Sequence, residues 1–265
     1  MQTSHSPFPL PGTDLGHLDI EVSREANERY WAGAGVDHPA RNAGLLYPPM
    51  VVNFAILLVQ QTVREGLLHT WGRLRCHRSV AAPASLVVTG KVRERFEKRE
   101  RDYFTVSSEV RTADGDLVWS ADLELADSRR RPGAGDTGAP GRPAYTLPGG
   151  TEPAVRSMTL TADRLRTYSR AGNFHSDDTA AREMGLPGMV AMGMQTLGPA
   201  CSLLLDERGV ACLEHAEIEA RFFGLVLEGD TVEASVCGVD GHARFVIRNL
   251  TKGVTTAAGE VRLGG

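Results

Sequence analysis

Residues 165–205 read LRTYSRAGNFHSDDTAAREMGLPGMVAMGMQTLGPACSLLL and contain the most informative pattern of the chain. A polar segment around His175 comes first, a Gly/Pro-rich turn at 185–188 follows, and an apolar helix begins at Gly193. A histidine can transfer a proton near neutral pH. The free amides at the start of a helix can hold a carbonyl oxygen as negative charge develops on it. We therefore take this stretch as the candidate active site.

The elements around this stretch follow from hydrophobic periodicity. Residues 155–161 predict a strand, and 161–168 predict a short helix. The helix that begins at Gly193 places apolar residues on one face, namely Met194, Leu197, Cys201, Leu204 and Leu205. Alternating apolar residues and glycine-containing turns then predict four strands, at 212–223, 230–236, 242–249 and 254–263.

The first half of the chain has a similar order. Residues 22–31 predict a helix with Ser23 as its N-cap. A second helix is expected after the Pro-Pro pair at 48–49, with apolar residues at helical spacing up to residue 62. Four strands follow, at 67–77, 84–96, 104–110 and 117–125. The five basic residues at 93–101 alternate with acidic ones, which is typical of a solvated hairpin tip, although they could also meet the phosphates of CoA or an acidic carrier protein.

These patterns predict an α+β protein made of two copies of one fold, each with a long helix wrapped by a curved antiparallel sheet. We place the first repeat at 1–126, with an irregular arm rich in Pro, Gly, Ser and Thr at 1–20. Residues 127–150 are dense in Gly, Pro and Arg and predict a linker. The second repeat is expected at 151–265.

Composition limits the classes of function. A chain of 265 residues with 42% apolar residues, a net charge of -4 and a pI near 6.1 is not typical of a disordered protein or of one that binds nucleic acid. The N-terminus lacks the pattern of a signal peptide, and the longest apolar run, 50–59, is too short to span a bilayer. We expect a cytoplasmic protein without membrane contact. The four cysteines have no metal spacing and predict buried thiols, and no dinucleotide or phosphate-binding motif occurs.

The loop and helix entry of the second half resemble the motif of the MaoC-like dehydratase family, which includes the R-specific enoyl-CoA hydratases. The matching residues are Tyr168, Gly172, Asn173, His175, Asp177, Ala181, Gly185, Gly188, Val190, Ala191, Gly193 and Met194, followed by RFFGLVLEGD at 221–230. The first half is similar to the degenerate N-terminal repeat of the double forms of this family, through His38-Pro39 and the Pro-Pro pair at 48–49.

The resemblance implies a double hotdog fold and a hydro-lyase that adds water reversibly to a 2-enoyl thioester. The substrate would be carried on CoA or on an acyl carrier protein, with no other cofactor and no metal. We also expect a homodimer that acts in fatty acid or polyketide metabolism.

The resemblance also assigns roles to residues. His175 would be the general acid and base, and the amides of Gly193 and Met194 would polarise the thioester carbonyl. Asn173 could orient a water or the substrate hydroxyl, or it could simply stabilise a turn. Tyr168 and Asp177 would position the substrate, although Asp177 also stands where it could cap the helix that follows.

Two departures from the family motif leave other functions open. Arg170 stands five residues before His175, where the family has an aspartate, and Met192 replaces the histidine before the helix glycine. One alternative is a hotdog enzyme of altered chemistry in polyketide-type biosynthesis, such as a cyclase or a thioesterase. A thioesterase usually places a carboxylate near the helix start, where this chain has Gln195. Another alternative is a non-catalytic subunit that binds an acyl thioester.

Overall fold

The same order of elements occurs twice in the computed structural model, which describes residues 8–63, 66–98, 101–127, 147, 152–239 and 241–263. The first half contains β1 (Asp14–Val22), α1 (Arg24–Gly33), α2 (Pro39–Asn42), α3 (Met50–Gln60), β2 (Leu67–Cys76), β3 (Ala84–Lys98), β4 (Arg101–Thr112) and β5 (Leu117–Asp127). The second half contains β6 (Ala154–Thr159), α4 (Ala162–Tyr168), α5 (Asp178–Glu183), α6 (Gly193–Thr196), α7 (Gly198–Arg208), α8 (Ala211–Glu214), β7 (Ala216–Phe222), β8 (Thr231–Val239), β9 (His242–Asn249) and β10 (Val254–Leu263).

All ten strands form one sheet in the order β1-β3-β4-β5-β2-β7-β10-β9-β8-β6. The two halves of the sheet are symmetric. Strands β1 to β5 correspond in order to β6 to β10, and corresponding strands lie at equal distances from the middle of the sheet. Strands β2 and β7 pair antiparallel in the middle and join the halves. The helix α3 packs on β1, β3 and β5, and α7 packs on β6 and β8. This arrangement confirms the predicted α+β double hotdog fold.

The central helices are predictable where their sequence is simple and differ from prediction where proline intervenes. Helix α3 begins right after the Pro-Pro pair and buries Val51, Ala55 and Leu58, as expected. The single helix expected from Gly193 is instead divided into α6 and α7. Pro199 explains the division, because it lacks the amide hydrogen that would bond four residues back and its ring crowds that carbonyl.

Two other expectations are corrected by the structure. The arm at 1–20 is not irregular throughout, because residues from Asp14 onward form β1 and pair with β3, with Leu18 opposite Val88. The alternation of Leu18, Ile20 and Val22 with polar residues carries the strand signal that the Pro/Gly-rich composition obscures. Cys212, expected in a strand, lies in α8. The predicted linker lies outside the described residues, except for residues 127 and 147, and so do residues 1–7.

The side chain of Gln195 joins the two repeats near α1 and α4. The side-chain amide of Gln195 donates to the carbonyl oxygens of Gly33, at 3.1 Å, and Arg164, at 2.9 Å.

All four cysteines are buried thiols, as predicted. Among the helices that the structure describes, none has the length and apolar character needed to cross a membrane.

Gly198→Ala should lower the free energy of unfolding by roughly 2 kcal/mol or more through overpacking. A Cβ atom at this position would lie 1.9 Å from the carbonyl oxygen of Ala34, across the contact between the repeats. Gly188→Ala is the matched control, because its Cβ would meet only the end of the Asp178 side chain, at 3.3 Å. Urea unfolding followed by circular dichroism measures both changes. Equal denaturation midpoints for the two variants would contradict the importance of this contact.

Candidate active site

A cavity of about 380 Å³ lies between the two repeats. One wall is mostly apolar and comes from the first repeat, through Val52, Ile56 and Leu57 of α3 and the start of β2. The opposite wall comes from the second repeat, through the loop before α5, the start of α6 and the segment after β7. The predicted site residues Tyr168, Asn173, His175, Gly193 and Met194 all line this cavity.

The imidazole of His175 is held in one tautomer. Its Nδ1 atom lies 2.7 Å from the carbonyl oxygen of Val190. Because a carbonyl only accepts hydrogen bonds, Nδ1 carries the hydrogen and Nε2 keeps its lone pair. Burial lowers the pKa of His175 to about 4, partly opposed by the bond to Val190, and the nearby charge of Arg170 lowers it further. The ring is therefore neutral at pH 7 and its Nε2 atom can accept a proton.

Asn173 supports the loop that carries His175. Its Oδ1 atom accepts from the backbone N–H of His175 at 2.9 Å, and its Nδ2 atom donates to the Ser169 hydroxyl at 3.0 Å. Gly172 just before it takes a positive φ of 77°. The predicted contact of Asn173 with a water or hydroxyl therefore competes with bonds that already fix the loop.

Asp177 does not line the cavity, although it was expected to position the substrate. Its Oδ1 atom accepts from the backbone N–H of Ala180 at 2.9 Å and caps α5, the alternative role that the sequence left open. Asp178 pairs with Arg182 on the same helix. No carboxylate lines the cavity within the described residues.

The start of α6 presents two unused backbone donors to the cavity. The segment before it is fixed on both sides, because Val190 N–H donates to the carbonyl oxygen of Phe174, at 3.2 Å, and Ala191 N–H to that of Val226, at 2.8 Å. The amides of Gly193 and Met194 donate to no acceptor among the described residues. Free amides of this kind favour a developing oxyanion.

Two aromatic rings shape the cavity around these donors. A Cβ atom on Gly193 would lie 3.2 Å from the ring of Phe222, so glycine leaves room for this packing. Tyr168 is buried, packs edge-on against Tyr30 with ring centroids 5.1 Å apart, and has no hydrogen-bond partner for its hydroxyl within the described residues. The role of Tyr168 in positioning the substrate stays a prediction.

Two arginines stand beside the cavity. Arg170 is exposed, and its guanidinium donates to the Gln60 side-chain oxygen at 2.9 Å. Arg101, from the segment predicted as a solvated hairpin tip, also lines the cavity and donates to the carbonyl oxygen of Asp127 at 3.3 Å. Residues 99 and 100 of that tip lie outside the described residues.

His69 also lines the cavity, although no local sequence pattern indicates it. It lies on β2, half-buried, with its ring centroid 4.9 Å from that of Phe222. Burial lowers its pKa to about 4, while a backbone hydrogen bond at Trp71 acts in the opposite direction. Simple strand alternation turns His69 toward solvent, so only the observed strand pairing could reveal it. In the part of the chain that the structure describes, no cluster of His, Cys, Asp and Glu could hold a metal ion.

Comparison with known proteins gives a family match in the second half of the chain. Residues 146–259 match the model of the MaoC-like domain. The C-terminal repeat is therefore similar to the MaoC-like domain. No curated protein matches the chain.

Solved structures resemble nearly the whole chain, and not only the part that matches the MaoC-like domain. The peroxisomal multifunctional enzyme type 2 of Drosophila melanogaster matches 94% of the chain with a TM-score of 0.74 and 19% identity; the match spans 48% of that enzyme, so this chain is about half its length. HtdX of Mycobacterium tuberculosis matches 94% of the chain and 100% of its own, with a TM-score of 0.69 and 18% identity. A conserved hypothetical protein of M. tuberculosis, described as a double hotdog fold, matches 96% of each chain with a TM-score of 0.64 and 15% identity. At these identities the likeness shows the fold alone.

The two cavity histidines should make stability depend on pH. Each has a pKa near 6.5 when unfolded and about 4 when folded, so the unfolded state binds more protons between these values. Stability should fall as the pH drops from 6.5 toward 4, by on the order of 2–3 kcal/mol per histidine. Thermal unfolding from pH 4 to 8 should show a shallower loss for His69→Gln and His175→Gln than for the wild type. His17→Gln, at an exposed position on β1, is the control. Identical pH slopes in all four proteins would contradict this assignment.

Proposed function

We propose that this protein is a hydro-lyase that adds water reversibly to a 2-enoyl thioester carried on CoA or an acyl carrier protein. The observation that carries the proposal is the neutral imidazole of His175, with Nε2 unprotonated, in the same cavity as the free amides of Gly193 and Met194. Proton abstraction next to a carbonyl needs a base at the carbon and donors at the oxygen, and the cavity supplies both.

The dehydration direction proceeds in two steps. Nε2 of His175 takes the proton from C2 of the 3-hydroxyacyl thioester, and the electron pair moves onto the thioester oxygen held by Gly193 and Met194. The enolate then reforms the carbonyl as the C3–O bond breaks, and the imidazolium gives the same proton to the departing hydroxyl, which leaves as water. Val190 keeps the ring oriented throughout, since its carbonyl accepts from Nδ1 in both protonation states. Hydration is the same path reversed.

The two sides of the cavity suit the two parts of the substrate. The apolar wall of α3 would take the acyl chain, and the exposed Arg170 beside the cavity would meet a phosphate of the carrier. This chemistry uses only side chains and amides of the protein and calls for no metal or redox cofactor. We further propose a cytoplasmic homodimer.

One observation favours a second candidate, a subunit that binds an acyl thioester without turning it over. Within the described residues, the only hydrogen-bond partner of the His175 ring is a carbonyl oxygen, so no titratable side chain is hydrogen-bonded to it there. A thioesterase is disfavoured for a related reason, because no carboxylate lines the described part of the cavity to activate water.

Hydration of crotonyl-CoA, followed by loss of the enoyl absorbance, tests the proposal. The wild type should turn over, and His175→Ala should lose at least about 10²–10³-fold in kcat because the only proton-transfer group at C2 is gone. Glu183→Gln, on the exposed side of α5, should retain the wild-type rate. A wild type that binds crotonyl-CoA and longer enoyl-CoAs but hydrates none of them would contradict the proposed hydro-lyase function and favour the binding subunit.

The pH profile of kcat/KM should show an acid limb near pH 4 and not near 6.5. The base acts in its neutral form, and burial lowers the pKa of His175 to about 4. The value of kcat/KM should therefore stay constant from pH 8 down to pH 5. It should fall only below pH 5, where the imidazole becomes protonated. Short assays after a jump from pH 7 separate this titration from unfolding. A midpoint at 6–7 would show that His175 is not the titrating base or that it is solvated.

A further inference from the structure

An irregularity in β2 turns His69 into the cavity. On the neighbouring strand, Leu125 lies opposite His69 and Glu124 lies opposite Trp71, so Thr70 is an extra residue without a partner position. Such a bulge changes which face the following side chains occupy. His69 therefore shares the inner face with Gly72, which lies opposite the buried Leu123.

The bulge is held by its own hydrogen bonds. The Thr70 hydroxyl lies 2.7 Å from a carboxylate oxygen of Glu124 and 3.2 Å from its carbonyl oxygen. Without the extra residue, Thr70 would face inward and His69 would face solvent. The bulge at Thr70 thus determines the orientation of His69.

Gly72 and Phe222 provide the space that the ring of His69 occupies. A Cβ atom on Gly72 would lie 2.7 Å from Nε2 of His69, so only glycine lets the ring rest against the strand. Phe222 packs on His69 and also over Gly193. The imidazole therefore lies one aromatic ring away from the free amides of α6.

A wall residue with only a packing role would not need a nitrogen here. The Nε2 atom of His69 is buried without a hydrogen-bond partner in the described residues, and leaving a buried polar atom unpaired costs about 1–3 kcal/mol. The described part of the cavity offers no carboxylate, and Nδ1 of His175 is engaged by Val190. A carboxylate that could hold a water at C3 is therefore what the described part of the cavity lacks.

We propose that His69 hydrogen-bonds the oxygen that is added or removed at C3 of the acyl chain, so that the active site is built from both repeats. This inference rests on the proposed hydro-lyase function. His175 transfers the proton, and His69 holds the water or hydroxyl in line with C3. A neutral imidazole offers one N–H and one lone pair, so it can donate to this oxygen or accept from it.

Steady-state hydration and binding of butyryl-CoA, which has no C3 oxygen, should separate this role from packing. His69→Phe should lower kcat on the order of 10–100-fold and leave the Kd for butyryl-CoA within about twofold of the wild-type value. His69→Gln should recover part of the rate, since its amide can hold the oxygen. His77→Phe, beyond the end of β2 and outside the cavity lining, is the matched control. A wild-type kcat in His69→Phe, or a loss of butyryl-CoA affinity that accounts for the rate, would overturn the role of His69.

A second measurement keeps His69 itself in place. In His175→Ala, labelled with ¹⁵N-histidine, 3-hydroxybutyryl-CoA should shift a ring-nitrogen resonance that butyryl-CoA leaves unchanged and that is missing in the His69→Phe/His175→Ala double variant. Equal responses to both thioesters would overturn the contact. If the wild type hydrates no enoyl thioester, the proposed function and this inference fall together. If it does and the His69 tests fail, only this inference falls.

Discussion

The antiparallel pairing of β2 with β7 is the interaction on which the candidate site depends. It joins the two repeats over five residue pairs that begin with Trp71 opposite Arg221. Because a backbone ladder fixes the register, the residues just beyond the paired segment must meet, His69 on one strand and Phe222 on the other. The ring of His69 packs on that of Phe222, which in turn packs over Gly193 at the start of α6. The cavity is therefore a product of the junction and belongs to neither repeat alone.

Side chains on the outer face hold this register. Arg73 pairs with Glu219 at 2.7 Å, and Arg75 pairs with Glu217 at 2.6 Å. Half-exposed pairs of this kind contribute less than about 1 kcal/mol each. Their importance lies in specificity, since a slip by one residue would turn these four charges toward the core, where unpaired charge is costly. The ion pairs thus exclude the wrong alignment more than they stabilise the right one.

The parts of the structure that could be predicted from the sequence are those that a local sequence pattern determines. Helix α3 follows from the proline pair and its apolar spacing, and His175 and Gly193 follow from a motif that occupies one continuous loop and helix entry. His69 could not be found in this way, because its direction depends on one extra residue in a strand pairing that the sequence does not display. The division of the second helix at Pro199 was not predicted, because apolar residues continue at helical spacing on both sides of it. The part of the site that depends on a continuous motif could be predicted. The part that depends on strand pairing and register could not, whatever its residue types.

Arg170 changes what the neighbouring histidine can do. A carboxylate at this position would stabilise the imidazolium and raise the pKa of His175, whereas the guanidinium, together with burial, lowers it. A base of low pKa is weak at removing a proton from carbon, yet its conjugate acid protonates a leaving hydroxyl readily. In the proposed reaction the difficult step is formation of the enolate, whose charge the amides of Gly193 and Met194 would have to stabilise. With arginine in place of the aspartate of the family motif, the proposed site would depend on backbone donors and on a neutral partner for the oxygen at C3, and not on an ion pair.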